Sequence, residues 1–374
     1  MKNLGLYIHI PFCKQKCLYC DFYSLKADNG LYKSYCVALI MEMKVWGEKL
    51  KEKTIDTIYF GGGTPSVIGY ELINLLLNEI RKSFNIENNA EITIEVNPES
   101  ANEEFLREIF KNSFNRISFG VQSFIDSELK AIGRIHNANE AINAIKTAKE
   151  VGFLNISLDL MFNLPNQSIN DFEKSIEKAL ELKPTHISAY ALKLEKGTTL
   201  YKNKNSLNLA DEDTEFLMYN RLVDKLKQKG YFQYEISNFS QKGFESKHNL
   251  KYWNVQDYLG LGVSAHSLID HKRFFNKRDL KSYTEGKNIK KIEAIITNEE
   301  KLKEYILLGL RKSNGISLKQ LLIYSNEEFL NKFITKADYI CKLGYGVLTQ
   351  DAFCLNTKGF WVSNTIINEF ITLI

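Results

Sequence analysis

Two periodicities share the first half of the chain. Residues 6–10, 55–60, 91–96, 116–121, 155–162 and 185–192 are short apolar, β-rich runs bounded by turn formers, which predicts six strands. Between them, residues 32–50, 71–84, 103–111, 139–151 and 169–182 set apolar side chains three and four apart against charged faces, which predicts helices. This alternation is the βαβ pattern of a parallel sheet or barrel. Six units are too few for a closed eightfold barrel, so the expected fold is α/β, a partial, open (β/α)6 barrel, with a doubly wound sheet as the alternative.

Beyond residue 200 the pattern changes. Residues 211–229 predict one more helix, stopped by Gly230. From 231 to 271 aromatics, glycine and histidine crowd together without a clear period, and short or irregular elements are expected there. Residues 298–374 carry two helical stretches and a β-like tail at 346–349, which suggests a small, mainly helical, winged-helix-like domain. The expected division is a barrel over 1–235, a connecting region over 236–297 and a C-terminal subdomain over 298–374.

The unusual residues gather at one end of this pattern. Phe12 to Cys20 follow the first predicted strand, Gly61-Gly62-Gly63-Thr64-Pro65 the second, and Glu95-Val96-Asn97-Pro98 stand at the end of the third. Gly120-Val121-Gln122-Ser123 follow the fourth, and Asp159 and Tyr190 close the fifth and sixth. Barrels and open α/β sheets bind ligands at the C-terminal ends of their strands, so these stretches converge on one mouth.

Composition narrows the class without naming a chemistry. With 49 basic and 45 acidic side chains the net charge is only +4, which gives nucleic acid little bulk attraction. No apolar run approaches the roughly 20 residues of a membrane span, and the N-terminus lacks a secretory pattern, so a cytoplasmic protein is expected. The cysteines say more. Cys13, Cys17 and Cys20 are three of the chain's six. In a reducing compartment such a cluster points to a metal or redox role rather than disulfides. Three thiolates can hold three corners of a 4Fe–4S cube and leave the fourth iron open, an arrangement suited to catalysis. A zinc site completed by His9 or Asp21, or a chance grouping of buried cysteines, are the other readings. Cys36, Cys341 and Cys354 stand alone in amphipathic stretches and read as core residues.

The spacing Cys-x3-Cys-x2-Cys, with Tyr19 just before the third cysteine, resembles the cluster loop of the radical S-adenosylmethionine (SAM) superfamily. The resemblance implies a 4Fe–4S cluster on Cys13, Cys17 and Cys20, whose open iron binds the amino and carboxylate groups of SAM and whose electron cleaves it to a 5′-deoxyadenosyl radical. Gly61 to Pro65 resembles the superfamily's glycine-rich element, whose backbone N–H groups, unscreened by a Cβ, are expected to reach the methionine end of SAM. More narrowly, Tyr7-Ile8-His9-Ile10-Pro11-Phe12-Cys13, Gly61 to Pro65, Glu95 to Pro98, Gly120 to Ser123, and Asp159-Leu160 ahead of Leu164-Pro165 resemble the oxygen-independent coproporphyrinogen III oxidase family, from about Leu4 to at least His266. Carried over residue by residue, this implies that Tyr7 packs on SAM and that Gly62, Gly63 and Thr64 line its methionine part. Glu95, Gln122, Arg134 and Asp159 would make polar contacts to the rest. Taken singly, Glu95 reads equally as a strand's polar face, Arg134 as a surface cation and Asp159 as a turn cap.

Two departures separate the chain from the decarboxylating oxidases of that family. Phe22 stands where they carry a further cysteine, and the first cluster ligand is already residue 13. Both match the HemW-type haem chaperone branch, whose His-Asn-x-x-Tyr-Trp motif is similar to His248-Asn249-Leu250-Lys251-Tyr252-Trp253. That resemblance implies a haem site with His248 on the iron and Tyr252 and Trp253 over a porphyrin face. By residue type alone, a histidine beside aromatics reads as packed and hydrogen-bonded. His266 is a second candidate, and the basic residues His271, Lys272, Arg273, Lys277 and Arg278 would either meet haem propionates or form a solvated face.

The implied function is a carrier that binds a 4Fe–4S cluster, SAM and haem and delivers haem to respiratory haem proteins. Flavodoxin or ferredoxin is the implied electron donor. A dimer and a peripheral membrane contact stay open, as does whether SAM is cleaved or only bound. The alternative from the enzyme class is an oxygen-independent coproporphyrinogen III dehydrogenase. A third reading, an RNA-modifying radical enzyme with a winged-helix module, is disfavoured by the near-neutral charge.

Overall fold

The computed structural model describes residues 3–374. Strands β1 (Asn3–Ile10), β2 (Thr54–Gly62), β3 (Asn85–Val96), β4 (Arg116–Gln122), β5 (Asn155–Phe162) and β6 (His186–Ala191) lie side by side in chain order, every neighbouring pair parallel. Helices Asn29–Lys49, Tyr70–Ser83, Glu103–Lys111, Ala138–Val151 and Ile169–Glu181 fill the crossovers. The expected (β/α)6 architecture is therefore present. Local chemistry sets the boundaries: Asn102 caps Glu103–Lys111 by accepting from Phe105 N, and the helix buries Phe105, Leu106 and Ile109 against the sheet. Helix Ala138–Val151 starts with a reciprocal capping box between Asn137 and Glu140.

The region around 231–297 departs from the sequence reading. It is neither irregular nor a separate connector, because it extends the barrel sheet at both edges. The hairpin β7 (Phe232–Glu235) and β8 (Asn238–Ser240) joins antiparallel to β6 and spans the expected boundary at 235/236. On the other side, β9 (Tyr258–Leu261) pairs parallel to β1, followed by antiparallel β10 (His266–Ile269), β11 (Lys272–Asn276) and β12 (Lys290–Ile295). The result is one twelve-stranded sheet in the order β12-β11-β10-β9-β1-β2-β3-β4-β5-β6-β8-β7. These added strands are short, and partners distant in the chain define them, so they leave little period in the sequence.

The C-terminal part holds five helices rather than two. Helix Asn298–Gly309 leads to β13 (Ile316–Ser317), helices Leu318–Tyr324 and Glu327–Lys342, strands β14 (Gly346–Leu348) and β15 (Ala352–Leu355), and helices Thr357–Trp361 and Ser363–Ile371. Its antiparallel sheet has the order β13-β15-β14, which together with the helix order gives a winged-helix arrangement. The domain seats on the barrel through Trp361, whose ring packs 5.3 Å from Phe216 and 5.6 Å from Tyr219 on helix Glu212–Gln228. Among the described residues no helix is long and apolar enough to cross a membrane. Cys36 is a buried core residue as expected, whereas Cys341 and Cys354 are only partly buried.

Candidate functional site

The C-terminal ends of the parallel strands surround a cavity. Cys13, Cys17 and Cys20 line it from the loop after β1. Backbone bonds pin that loop: Cys13 N donates to Leu25 O (3.0 Å), Leu18 N to Ile132 O (3.0 Å) and Leu200 N to Leu18 O (2.9 Å). The Thr64 hydroxyl reaches Cys13 Sγ at 3.5 Å and Arg134 Nη1 reaches Cys17 Sγ at 3.4 Å. Burial raises the Cys13 thiol and pushes Cys20 up to about 11, so ligation of a metal centre has to displace protons. The thiols do not converge as they would on a single ion.

Neither zinc alternative finds its fourth ligand. His9 is buried and turned away, with Nδ1 3.0 Å from the Tyr7 hydroxyl and Nε2 3.3 Å from Tyr23 O, and burial lowers its pKa to about 4. Asp21 is exposed and absent from the cavity lining. Three thiols lining one cavity, with neither His9 nor Asp21 beside them, fit an iron–sulfur cluster with one open iron.

The glycine turn after β2 lines the cavity as expected, but its amides have another task. Gly62 N donates to Glu95 Oε2 (3.1 Å), Gly63 N to Ile10 O (2.8 Å) and Thr64 N to Phe12 O (2.7 Å). Gly62 N thus ties β2 to Glu95 on β3, and the Gly63 and Thr64 amides fasten this turn to the end of β1 and the start of the cysteine loop rather than point at a ligand, which corrects the sequence expectation. Close approach explains the glycines. Gly62 has φ +113°, and a Cβ there would lie 2.5 Å from the His9 ring; one on Gly63 would lie 2.6 Å from Phe12 O.

The polar residues singled out in the sequence share this cavity with the thiols. Glu95, Gln122, Arg134 and Asp159 all line the cavity. Glu95 accepts from the Tyr59 hydroxyl (2.8 Å) and from Gly62 N, yet burial still raises its pKa. Asp159 has only the Ser118 hydroxyl at 3.4 Å, and burial, then the neighbouring Glu95 charge, push it up to about 7. Arg134 Nη2 donates to Asn97 Oδ1 (2.8 Å) and Gly120 O (2.5 Å), while its buried Nε has no partner. Gln122 sits at φ 70°, where β4 and β5 slip register, a conformation costing a non-glycine residue about 1–3 kcal/mol. A poorly satisfied Asp159 carboxylate, a buried Glu95, an orphan guanidinium N–H and the Gln122 amide can thus meet a ligand that offers both donors and a carboxylate.

Three lining residues escaped a role in the sequence reading. Asn97 donates to Thr64 Oγ1 (3.1 Å) and accepts from Arg134, so one amide joins the partners of two thiols. Its place inside the Glu95–Pro98 stretch was the available signal. Ser118 shares the inward face of β4 with Gly120 and Gln122 by simple alternation. Tyr190 closes β6 and donates to Gln122 Oε1 (3.2 Å).

Other expected site residues lie elsewhere. Tyr7 is not in the lining; its ring packs beside both Tyr59 (6.2 Å) and His248 (6.4 Å). His248 is 1% exposed, with Nδ1 2.9 Å from Thr57 Oγ1 and Nε2 2.8 Å from the Tyr252 hydroxyl. Both ring nitrogens are thus engaged within the protein, and burial lowers the pKa to about 3. In this conformation an iron would have to displace Thr57 or Tyr252, and Tyr252 packs edge-on against the imidazole at 5.1 Å rather than facing open space. Trp253, at the end of the motif, borders a cavity. His266 is exposed and stacks on Phe275 at 5.0 Å. Within the basic run, Arg273 pairs with Glu304 (2.6 Å), while His271, Lys272, Lys277 and Arg278 form a solvated face.

Comparison with known proteins agrees with this site. Residues 7–179 match the Radical SAM superfamily. The chain is 35% identical over 373 residues to the heme chaperone HemW of Bacillus subtilis, covering 98% of both proteins. It is 36% identical over 376 residues to the heme chaperone HemW of Buchnera aphidicola subsp. Schizaphis graminum, again covering 98% of each. The solved structure of coproporphyrinogen III oxidase (HemN) from Escherichia coli, a radical SAM enzyme, shares the fold with a TM-score of 0.86 at 22% identity, covering 100% of this chain and 91% of that one. Cysteine loop, six-stranded mouth and full-length similarity agree, and the chain belongs to the radical SAM superfamily and, within it, to the family of the HemW heme chaperones.

Proposed function

We propose that this protein is a haem carrier of the radical SAM type, which holds a 4Fe–4S cluster on Cys13, Cys17 and Cys20, binds SAM in the adjoining cavity and passes haem to respiratory haem proteins. The observation that carries the cofactor part is the convergence of three thiols with Glu95, Gln122, Arg134 and Asp159 on one cavity, Arg134 reaching Cys17 Sγ itself. The names of the full-length relatives support the haem part. When bound, the cluster supplies an open iron for SAM and an electron for its cleavage. The chain's own residues position. Arg134 Nε offers a donor to the SAM carboxylate, and Glu95 and Asp159 offer acceptors to its hydroxyl and amino groups. Asn97 keeps Thr64 and Arg134 on their thiols. Flavodoxin or ferredoxin would deliver the electron.

The enzyme alternative, coproporphyrinogen dehydrogenation, shares the fold but not the rim. Phe22 lines the mouth and is 66% exposed, so an inert apolar ring stands where the oxidases place a thiol. The reconstituted protein, given reductant, SAM and coproporphyrinogen III without oxygen, is expected to form no protoporphyrinogen and to bind haem stoichiometrically. Catalytic accumulation of protoporphyrinogen would overturn the carrier reading.

A further inference from the structure

A second cavity, of about 330 Å³, lies between the barrel and the C-terminal domain, with Tyr190 lining both it and the mouth. Its volume falls within the roughly 300–1,000 Å³ of small-molecule sites. Phe162, Tyr219 and Phe360 form a buried apolar floor. Trp253 and Trp361, two of the chain's three tryptophans, are only half-buried and keep ring surface toward the space.

The polar lining is one-sided. No carboxylate borders this cavity, and Arg311 is the single cation that does. Arg311 is held in place: its Nη2 donates to Asn364 Oδ1 (2.9 Å) and its carbonyl accepts from Ile236 N (2.9 Å). A guanidinium in such a wall favours a carboxylate over a neutral group, and the two indoles favour a flat aromatic ring. A porphyrin carries both features. No histidine lines the cavity, whereas the imidazole of His248 is enclosed elsewhere.

We infer that this cavity is the tetrapyrrole site, which grips the ring through Trp253 and Trp361 and a propionate through Arg311, without an imidazole on the iron. The inference rests on the haem reading above and deepens it by naming the site. Tyr190 then separates the tetrapyrrole from the SAM cavity by a single side chain.

The test titrates the cluster-loaded full-length protein with haem and, separately, with metal-free protoporphyrin, following tryptophan quenching and the Soret band. Both ligands are expected to bind the wild type within threefold of each other, because the iron is not the handle. Arg311→Gln should weaken both by about tenfold. Ala191→Trp, which fills the cavity from the barrel side, should abolish both, and His248→Gln should leave both unchanged. Haem binding that excludes protoporphyrin, disappears in His248→Gln and survives in Arg311→Gln and Ala191→Trp would overturn the site but keep the haem reading. A wild type that binds no haem at all would overturn both.

Discussion

The mouth of the barrel and the surroundings of His248 share strands β1 to β3, yet they treat polar atoms in opposite ways. Tyr59 belongs to both: its hydroxyl serves Glu95 at the mouth, and its ring stacks 5.2 Å from His248 below. At the mouth, Asp159 has one long hydrogen bond, Arg134 Nε has none and Gln122 is strained. Around His248, both ring nitrogens and the backbone N–H are bonded, the latter to Glu91 Oε1 at 3.0 Å. Buried polar groups are normally satisfied, so the unmet set marks a place for a ligand and the met set marks structure. Two tyrosine- and carboxylate-bearing regions can look alike in sequence and differ in just this respect.

The sharpest break of this contrast comes at the thiols. Serine at Cys13, Cys17 or Cys20 should bring the iron content of anaerobically reconstituted protein to near zero and remove its brown absorbance. Stoichiometric zinc in the unsubstituted protein would keep the ligands but change the metal.

The next effect is one of sign with pH. Asp159 has its folded pKa raised to about 7 from 3.8, so its contribution to stability is greatest below pH 4 and falls as pH rises toward 7. Asp159→Asn should therefore stabilise the SAM-free protein at pH 8, by up to about 4 kcal/mol, with no gain at pH 4. The same variant should bind SAM about tenfold more weakly. A variant no more stable than wild type at pH 8 would mean that the carboxylate is already satisfied.

His248 should behave oppositely. Its folded pKa is lowered to about 3, so its stability contribution is present above pH 6.5 and is lost as pH falls toward 3. His248→Ala should cost about 3 kcal/mol at pH 7 in chemical denaturation, through lost packing and orphaned Thr57 and Tyr252 hydroxyls, and leave iron content unchanged. Weaker SAM binding at unaltered stability would move His248 into the site. The smallest effect is expected at the rim: Phe22→Ser should change neither iron content nor SAM affinity measurably, and a loss of either would make Phe22 part of the cluster's support.

Much of this was legible from local spacing. Strand β5 (Asn155–Phe162) and helix Glu103–Lys111 have the limits that their periods predict, and the Cys-x3-Cys-x2-Cys loop was readable because its ligands lie within one turn of chain. The direction of the Gly62 to Thr64 amides was not, because it depends on where Ile10, Phe12 and Glu95 stand after folding. Strands β7 to β12 were missed for a related reason: runs of three to six residues carry little period, and β6 and β1, far away in the chain, anchor them.

The sequence by itself determined the alternation of strand and helix, the three thiols and the gathering of unusual residues at strand ends, since each follows from neighbours a few positions apart. Only the tertiary structure decided which polar atoms are satisfied and which are left for a ligand. It enclosed His248 between Thr57 and Tyr252, and it brought Trp253 and Trp361 from separate domains to one cavity. Burial and hydrogen-bond partnership are set by residues distant in the chain, and no local pattern encodes them.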